Sequence, residues 1–368
     1  MFSFRPRLTA VLLAASAAAL PAFSADPPRD TTAPGKPAAR TRPAPPAGPH
    51  IAIFLPTESE SLGALAASFR EGFAAAVDAA GRDGLPVHVI DQPDDLVSSS
   101  DCERSREAGA VLIVAGLTRA GAASLATGPC VRRPALSLND PGPGPLPPML
   151  TALSLSAEAE ARQAAALAIA EGAQSLAVIA GPSALEGRLA TTVERAWTQA
   201  GGEATRIAFA GSADEAPALR ERLAKLGATA VFLALDSTVA RAARPYISGA
   251  LPVYATSHSI NARADPSVNV DLEGVRYVDM PWFVQPDHPA VMAYPAPVTT
   301  LPPEQERLYA LGIDAYRVGL VVARGEPGES VIDGVTGSLR VARDRRVERT
   351  LVPARMDAGR SVPIRARR

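Results

Sequence analysis

The chain has 368 residues, with 37 Lys and Arg against 38 Asp and Glu and a formal net charge of -1 at pH 7. With so close a balance, no electrostatic argument favours nucleic acid or an anionic membrane surface as a partner. The length accommodates two lobes of ordinary domain size.

Arg5 and Arg7 precede the apolar run Leu8–Leu20, and Ala22-Phe23-Ser24 supplies a small-x-small cleavage site. Residues 1–24 therefore read as a cleavable secretory signal peptide, cut after Ser24 or its neighbour Ala25, which places the mature protein in the periplasm. The apolar run is shorter than the roughly 20 residues that span a bilayer, and no second run follows, so the mature protein is expected to have no transmembrane segment. No lipobox cysteine ends the run. Residues 25–49 are dominated by Pro, Ala, Thr and Arg and are expected to form a disordered linker, because such a composition buries too little apolar surface to offset its ordering entropy.

Beyond residue 49, short apolar runs alternate with helical patterns. Ile51–Leu55 reads as a strand, and Leu62–Ala80 as a helix with Leu62, Leu65, Phe69, Phe73 and Val77 on one face. Val87–Ile90, Val111–Val114 and Ala135–Leu138 follow as strands. The pattern then restarts with helices over Ala157–Gly172, Leu185–Ala200 and Pro217–Leu226, and strands over Leu176–Ala180, Ile207–Ala210, Ala230–Leu235 and Val253–Ala255. Nearly continuous apolar strands joined by helices imply parallel sheets covered on both faces, and the restart implies two doubly wound α/β lobes. Cys102 and Cys130 are an even pair in an oxidising compartment and are expected to form one disulfide; buried thiols are the alternative.

The inventory offers little for catalysis. Histidine occurs only at positions 50, 88, 258 and 288, with no His-Glu-x-x-His helix, Gly-x-Ser-x-Gly elbow or Cys-x-x-Cys pair. Neither an enzymatic activity, a metal nor a cofactor is expected. Asp314, one turn from Arg317 in an amphipathic helix, reads as a capping or lobe-packing residue, and Trp282 as a packing residue at a crossover.

Gly109–Arg119 (GAVLIVAGLTR), Pro134–Asn139 (PALSLN), Ala255–Phe283, Leu308–Leu320 (LYALGIDAYRVGL) and Gly334–Val341 (GVTGSLRV), with the arginine-rich hairpin to Leu351, together resemble the type I periplasmic binding proteins. Within that superfamily the chain most resembles the penicillin-binding protein activators, the LppC-like proteins. The resemblance implies two lobes crossed three times by the chain and joined by a hinge at Pro281 and Trp282. Lobe one would take residues 50–152 plus 280–325, and lobe two residues 153–279 plus 326–364. It further implies a non-catalytic regulator of peptidoglycan synthesis that binds a class A penicillin-binding protein. The alternative is a periplasmic solute-binding receptor for an amino acid or similar small polar ligand.

Ligands of open α/β sheets gather at the carboxyl ends of the strands. Thr118, Arg119, Asn139 and Asp140 from the first lobe and Ser257, His258 and Ser259 from the second are therefore the candidate cleft residues. The turn Gly116–Arg119 could hold a carboxylate on its N–H groups and the Thr118 hydroxyl, while Thr118 reads equally as a helix N-cap. The chain departs from amino-acid receptors in lacking a run of small hydroxyl residues at this turn. It departs from the longer activators in showing neither their helical-repeat domain nor their lipidated cysteine.

Overall fold

β1 (His50–Leu55) is buried along its whole length, and its side chains alternate between two cores. Ile51, Ile53 and Leu55 face one cluster, Ala52 and Phe54 the other, the period-two division of a strand covered on both sides. In the computed structural model, which describes residues 44–212, 214–325 and 331–364, this strand lies inside the first of two large sheets. The expected signal peptide and residues 25–43 of the expected linker lie outside the described residues.

The first half runs β1, α1 (Gly63–Ala80), β2 (Val87–Asp91), α2 (Ser99–Glu107), β3 (Ala110–Ala115), α3 (Arg119–Thr127), β4 (Ala135–Ser137) and β5 (Leu150–Ala152). Its five strands are all parallel, in the order β2-β1-β3-β4-β5. The second half runs α4 (Ala157–Ala170), β6 (Ser175–Ala180), α5 (Ala184–Gln199), β7 (Glu203–Ala208), α6 (Glu215–Leu226), β8 (Ala230–Ala234), α7 (Ser237–Ala243), β9 (Val253–Thr256), α8 (Pro266–Asn269) and β10 (Arg276–Asp279). Here the same doubly wound order recurs as β7-β6-β8-β9-β10.

The chain then passes through α9 (Pro281–Val284), α10 (Pro289–Met292) and the long α11 (Pro303–Arg324). It returns through β11 (Val331–Asp333), β12 (Ser338–Val341), β13 (Val347–Thr350), β14 (Val352–Asp357) and β15 (Arg360–Pro363). The first three of these strands form a small antiparallel sheet, while β14 joins the second large sheet antiparallel to β10 and β15 pairs antiparallel to β14 at its edge, giving that sheet seven strands. The second sheet is thus mixed, since β14 runs against the parallel strands β6 to β10. No helix among the described residues is long and apolar enough to cross a membrane.

α11 packs on α1 over the first sheet. The helices touch backbone to backbone: a Cβ at Gly72 would collide with the Tyr309 carbonyl, and one at Gly312 with the Phe69 carbonyl. The most deeply buried face of α1 is accordingly Ala66, Phe69, Gly72, Phe73 and Ala76, with Leu62, Leu65 and Val77 half-buried at its margin. The small residues sit innermost because a second helix lies directly on them. The opposite face of the first sheet is covered by the short α2 and by α3, and a disulfide between Cys102 and Cys130, 28 residues apart, ties α2 to the turn Pro129–Arg132 that follows α3.

Substituting Gly312 by Ala is expected to lower unfolding free energy by about 1–3 kcal/mol through overpacking, read from urea melts. Replacing Cys102 and Cys130 together by Ser is expected to cost about 3.5 kcal/mol on the loop-entropy model for a loop of this length. An unchanged midpoint in either case would remove the corresponding constraint.

Candidate functional site between the two sheets

The doubly wound order places a topological switch point between β1 and β3, at the carboxyl ends of the strands. The turn leaving β3 begins at Gly116, whose φ of 76° lies in the left-handed region, with Ala122 packed where a Cβ would stand. Thr118 is the N-cap of α3, its hydroxyl accepting from the Gly121 N–H at 3.0 Å. The cradle formed by this turn already holds a carboxylate, that of Asp95 from the loop after β2. Leu117 N–H donates to Asp95 Oδ1 at 3.1 Å, and the Thr118 N–H and hydroxyl donate to Oδ2 at 2.6 and 2.7 Å. Burial pushes the Asp95 carboxyl above its ordinary value, partly offset by these donors. Thr118 is therefore a cap and a donor to Asp95, and its hydroxyl is not free for a ligand.

Arg119 points the other way, donating to both Glu158 oxygens at 2.9 and 3.1 Å, while Arg188 Nε reaches the same carboxylate at 3.0 Å. Glu158 stands in the first turn of α4, so this triad links α3 over the first sheet to α4 and α5 over the second. Burial alone would raise the Glu158 carboxyl; hydrogen bonds from Arg119, from its own backbone and from Arg188 outweigh it and hold the group at about 2. Asn139 donates to the Leu117 carbonyl at 3.1 Å and accepts from the Asp140 N–H at 2.9 Å, so both ends of its amide are engaged. Arg346, in the turn between β12 and β13, donates to the Gly142 and Gly144 carbonyls at 2.8 and 3.1 Å and lies 3.4 Å from the Asp140 carboxylate. Arg119, Asn139, Asp140, Glu158, Arg162 and Arg346 line a cavity of about 600 Å³.

The residues after β9 divide. Ser257 and His258 line a second cavity, of about 290 Å³, with Glu160, Arg307 and Arg349. Ser259 does not belong there: it is fully buried and donates to the Leu235 and Leu233 carbonyls at 2.7 and 3.3 Å, tying the end of β8 to the following turn. Beneath the second cavity Arg307 forks onto Asp279 at 2.6 and 2.9 Å, and Glu160 accepts from the Ser257 N–H. Burial works against the charge of Arg307, but Asp279 outweighs it and raises the guanidinium's pKa. Burial raises the Glu160 carboxyl, with Asp279 adding to the shift, and lowers Arg349, which donates to the Thr336 carbonyl at 3.0 Å.

Pro281 and Trp282 open α9, on the segment leading from β10 towards α11, and both are buried. Trp282 N–H donates to the Val335 carbonyl at 3.0 Å, its indole N–H donates to Glu306 at 2.8 Å, and its ring lies 5.4 Å from that of Tyr309. One α11 carboxylate, Asp314, accepts from Val335 N–H at 3.2 Å and from the Thr336 N–H and hydroxyl at 2.7 Å each.

Sequence reasoning passed over Asp95, Glu158, Glu160, Arg307 and Arg349 as site residues. Asp95 was within reach of the strand-end rule applied to β2, since the acidic turn Asp94-Asp95 follows that strand; the others act only through pairs distant in sequence.

The LppC family model, described as "LppC putative lipoprotein", matches residues 47–223 and 219–359. The chain belongs to the LppC family. A curated relative, the penicillin-binding protein activator LpoA of Erwinia tasmaniensis, is 34% identical over 113 residues, 30% of this chain and 17% of that protein. The chain therefore corresponds to a small part of that relative's length. Among solved structures, a protein of Chromobacterium violaceum described as a "putative branched-chain amino acid ABC transporter" is 36% identical with a TM-score of 0.71, over 83% of this chain and 99% of that one. The C-domain of Haemophilus influenzae LpoA, described as a regulator of PBP1A, has a TM-score of 0.69 at 22% identity, over 86% of this chain and 99% of that one, and so supports the fold.

Glu158 is depressed from an ordinary value of 4.5 to about 2, so its stabilising contribution is full above pH 4.5 and fades as pH falls towards 2. Glu158→Gln is expected to flatten that part of the stability–pH profile, measured by urea melts at stepped pH; an unaltered profile would mean the triad does not form in solution. Asp314→Ala strands three buried donors and is expected to cost about 3 kcal/mol or more, checked in the same melts.

Proposed function

We propose that this LppC-family protein is a non-catalytic periplasmic regulator of peptidoglycan synthesis that acts by binding a class A penicillin-binding protein. The observation that carries the reading is the self-satisfied cleft: the carboxylate cradle at the first switch point is filled by Asp95, and Arg119, Glu158 and Arg188 pair across the two halves. A turn whose donors are already answered by Asp95 has little left with which to hold a small carboxylate at that switch point, which favours recognition on the outer surface. Membership of the LppC family and similarity to the LpoA activators agree with this.

The mechanism would be selection of the synthase's active conformation by differential binding, a coupling of typically about 1–3 kcal/mol. In this reading the lobes are residues 50–152 plus 280–325 and residues 153–279 plus 326–364, with Pro281 and Trp282 at the hinge, and residues 1–24 direct export. A second reading, a solute-binding receptor, is favoured by the likeness to the Chromobacterium violaceum protein and by the second cavity, where Ser257, His258, Glu160 and Arg349 meet.

The test is a binding isotherm of the mature chain against purified class A penicillin-binding proteins from the same envelope, with glycan polymerisation and cross-linking followed in parallel. Saturable binding with a changed synthase rate is expected. Absence of binding to every such synthase, together with a saturable rise in Tm with one amino acid, would replace this reading by the receptor.

A further inference from the structure

We propose that Asp95 is a built-in occupant of the carboxylate cradle at the first switch point, a tethered surrogate that keeps the β3–α3 turn permanently in its filled state. The class of external ligand that the emptied cradle would accept is a small monocarboxylate. The inference stands whether or not a synthase is the partner.

Three donors converge on one side chain. Leu117 N–H addresses Oδ1, and the N–H and hydroxyl of Thr118 address Oδ2. The direction of the hydroxyl is set by a fourth group: Thr118 Oγ1 accepts from the Gly121 N–H, so its own proton is directed to Asp95. The arrangement offers donors alone, which is what a deprotonated carboxylate needs. It is also built around that carboxylate, since a Cβ at Gly121 would collide with the Asp95 oxygens.

The position carries the argument further. In a sheet of order β2-β1-β3-β4-β5, the crevice beside the ends of β1 and β3 is where an open α/β sheet receives its ligand. Asp95 reaches it from the loop after β2, across the end of β1, and is only 6% exposed. A tethered group competes at an effective concentration that a free metabolite rarely matches. The second half also has a carboxylate at its own switch point, by a different route: Glu186 closes the capping box of its own helix α5, accepting from the Ser183 N–H at 2.9 Å, and with its other oxygen accepts from the Asp236 N–H after β8 at 2.8 Å. Both doubly wound sheets thus answer their ligand-receiving crevice with a carboxylate of the chain.

Removing the plug tests this. Asp95→Ala and the unaltered protein are melted in sodium formate and sodium acetate, with sodium chloride and acetamide as matched controls. Asp95→Ala is expected to melt below the unaltered protein and to recover saturably, by several degrees, in formate or acetate alone, while the unaltered protein does not respond. If the variant shows no cooperative transition in plain buffer, formate is expected to restore one. Lack of any carboxylate-specific recovery, or an equal response of the unaltered protein, overturns the proposal. Asp95→Asn provides an independent arm: it preserves shape but turns an amide N–H₂ towards donors, so it is expected to melt lower and to stay insensitive to formate. An Asn variant as stable as the unaltered protein would equally overturn it.

Discussion

The backbone contact of α1 with α11 at Gly72 and Gly312 is the constraint from which the rest of the molecule follows. α11 follows the segment that leads out of the second half and packs along α1 of the first. Its seating against α1 sets the depth of Arg307 beneath the second cavity, of Asp314 against the returning chain, and of Glu306 under Trp282. Gly319 extends the same constraint to the sheet, since a Cβ there would press on Leu112 of β3. A bulkier residue at either crossing glycine would lift the helix and shift all of these charged groups together.

A second theme is how the junction treats charge. Its carboxylates are met by donors from elsewhere in the chain: Asp95 by the β3–α3 turn, Glu158 by Arg119 and Arg188, Asp279 by Arg307, and Asp314 by the backbone near Thr336. Breaking a buried member such as Asp314 is costly because it strands unpaired donors, whereas the pairs that the exposed Arg119 and Arg188 make with Glu158 contribute little to net stability. The consequence is that Arg119 with Glu158 and Arg307 with Asp279 tie the two halves to each other, while Asp95 fixes a turn within the first half.

Much of the fold was legible in the sequence. Strands β1 to β4, β6, β8 and β9 announced themselves as short apolar runs, and helices α1, α4, α5 and α6 by periodicity, because burial on one or two faces writes itself directly into residue order; β7 was read only at its end, and β5 and β10 were missed. Thr118 was readable as a cap, and the segment Leu308–Leu320 as a marker of the family, its Gly312 and Gly319 turning out to be contact points. The short α2 and the antiparallel β14 and β15 were not legible, since nine residues of polar helix and edge strands of mixed pattern carry weak signals.

The sequence by itself determined the class of architecture, two α/β windings, and the family, because both rest on local apolar patterning and on the order of short motifs. Only the tertiary structure decided what the site residues do. Thr118 meets Asp95 from 23 positions away, Arg119 meets Glu158 from 39 away, and Arg346 reaches the loop at Asp140 from 206 away. Ser259, two residues from Ser257, turns into the core because the strand-end turn directs its hydroxyl at the Leu235 carbonyl. Which donor answers which carboxylate is a property of how the crossovers bring strand ends together, and no local stretch of sequence contains it.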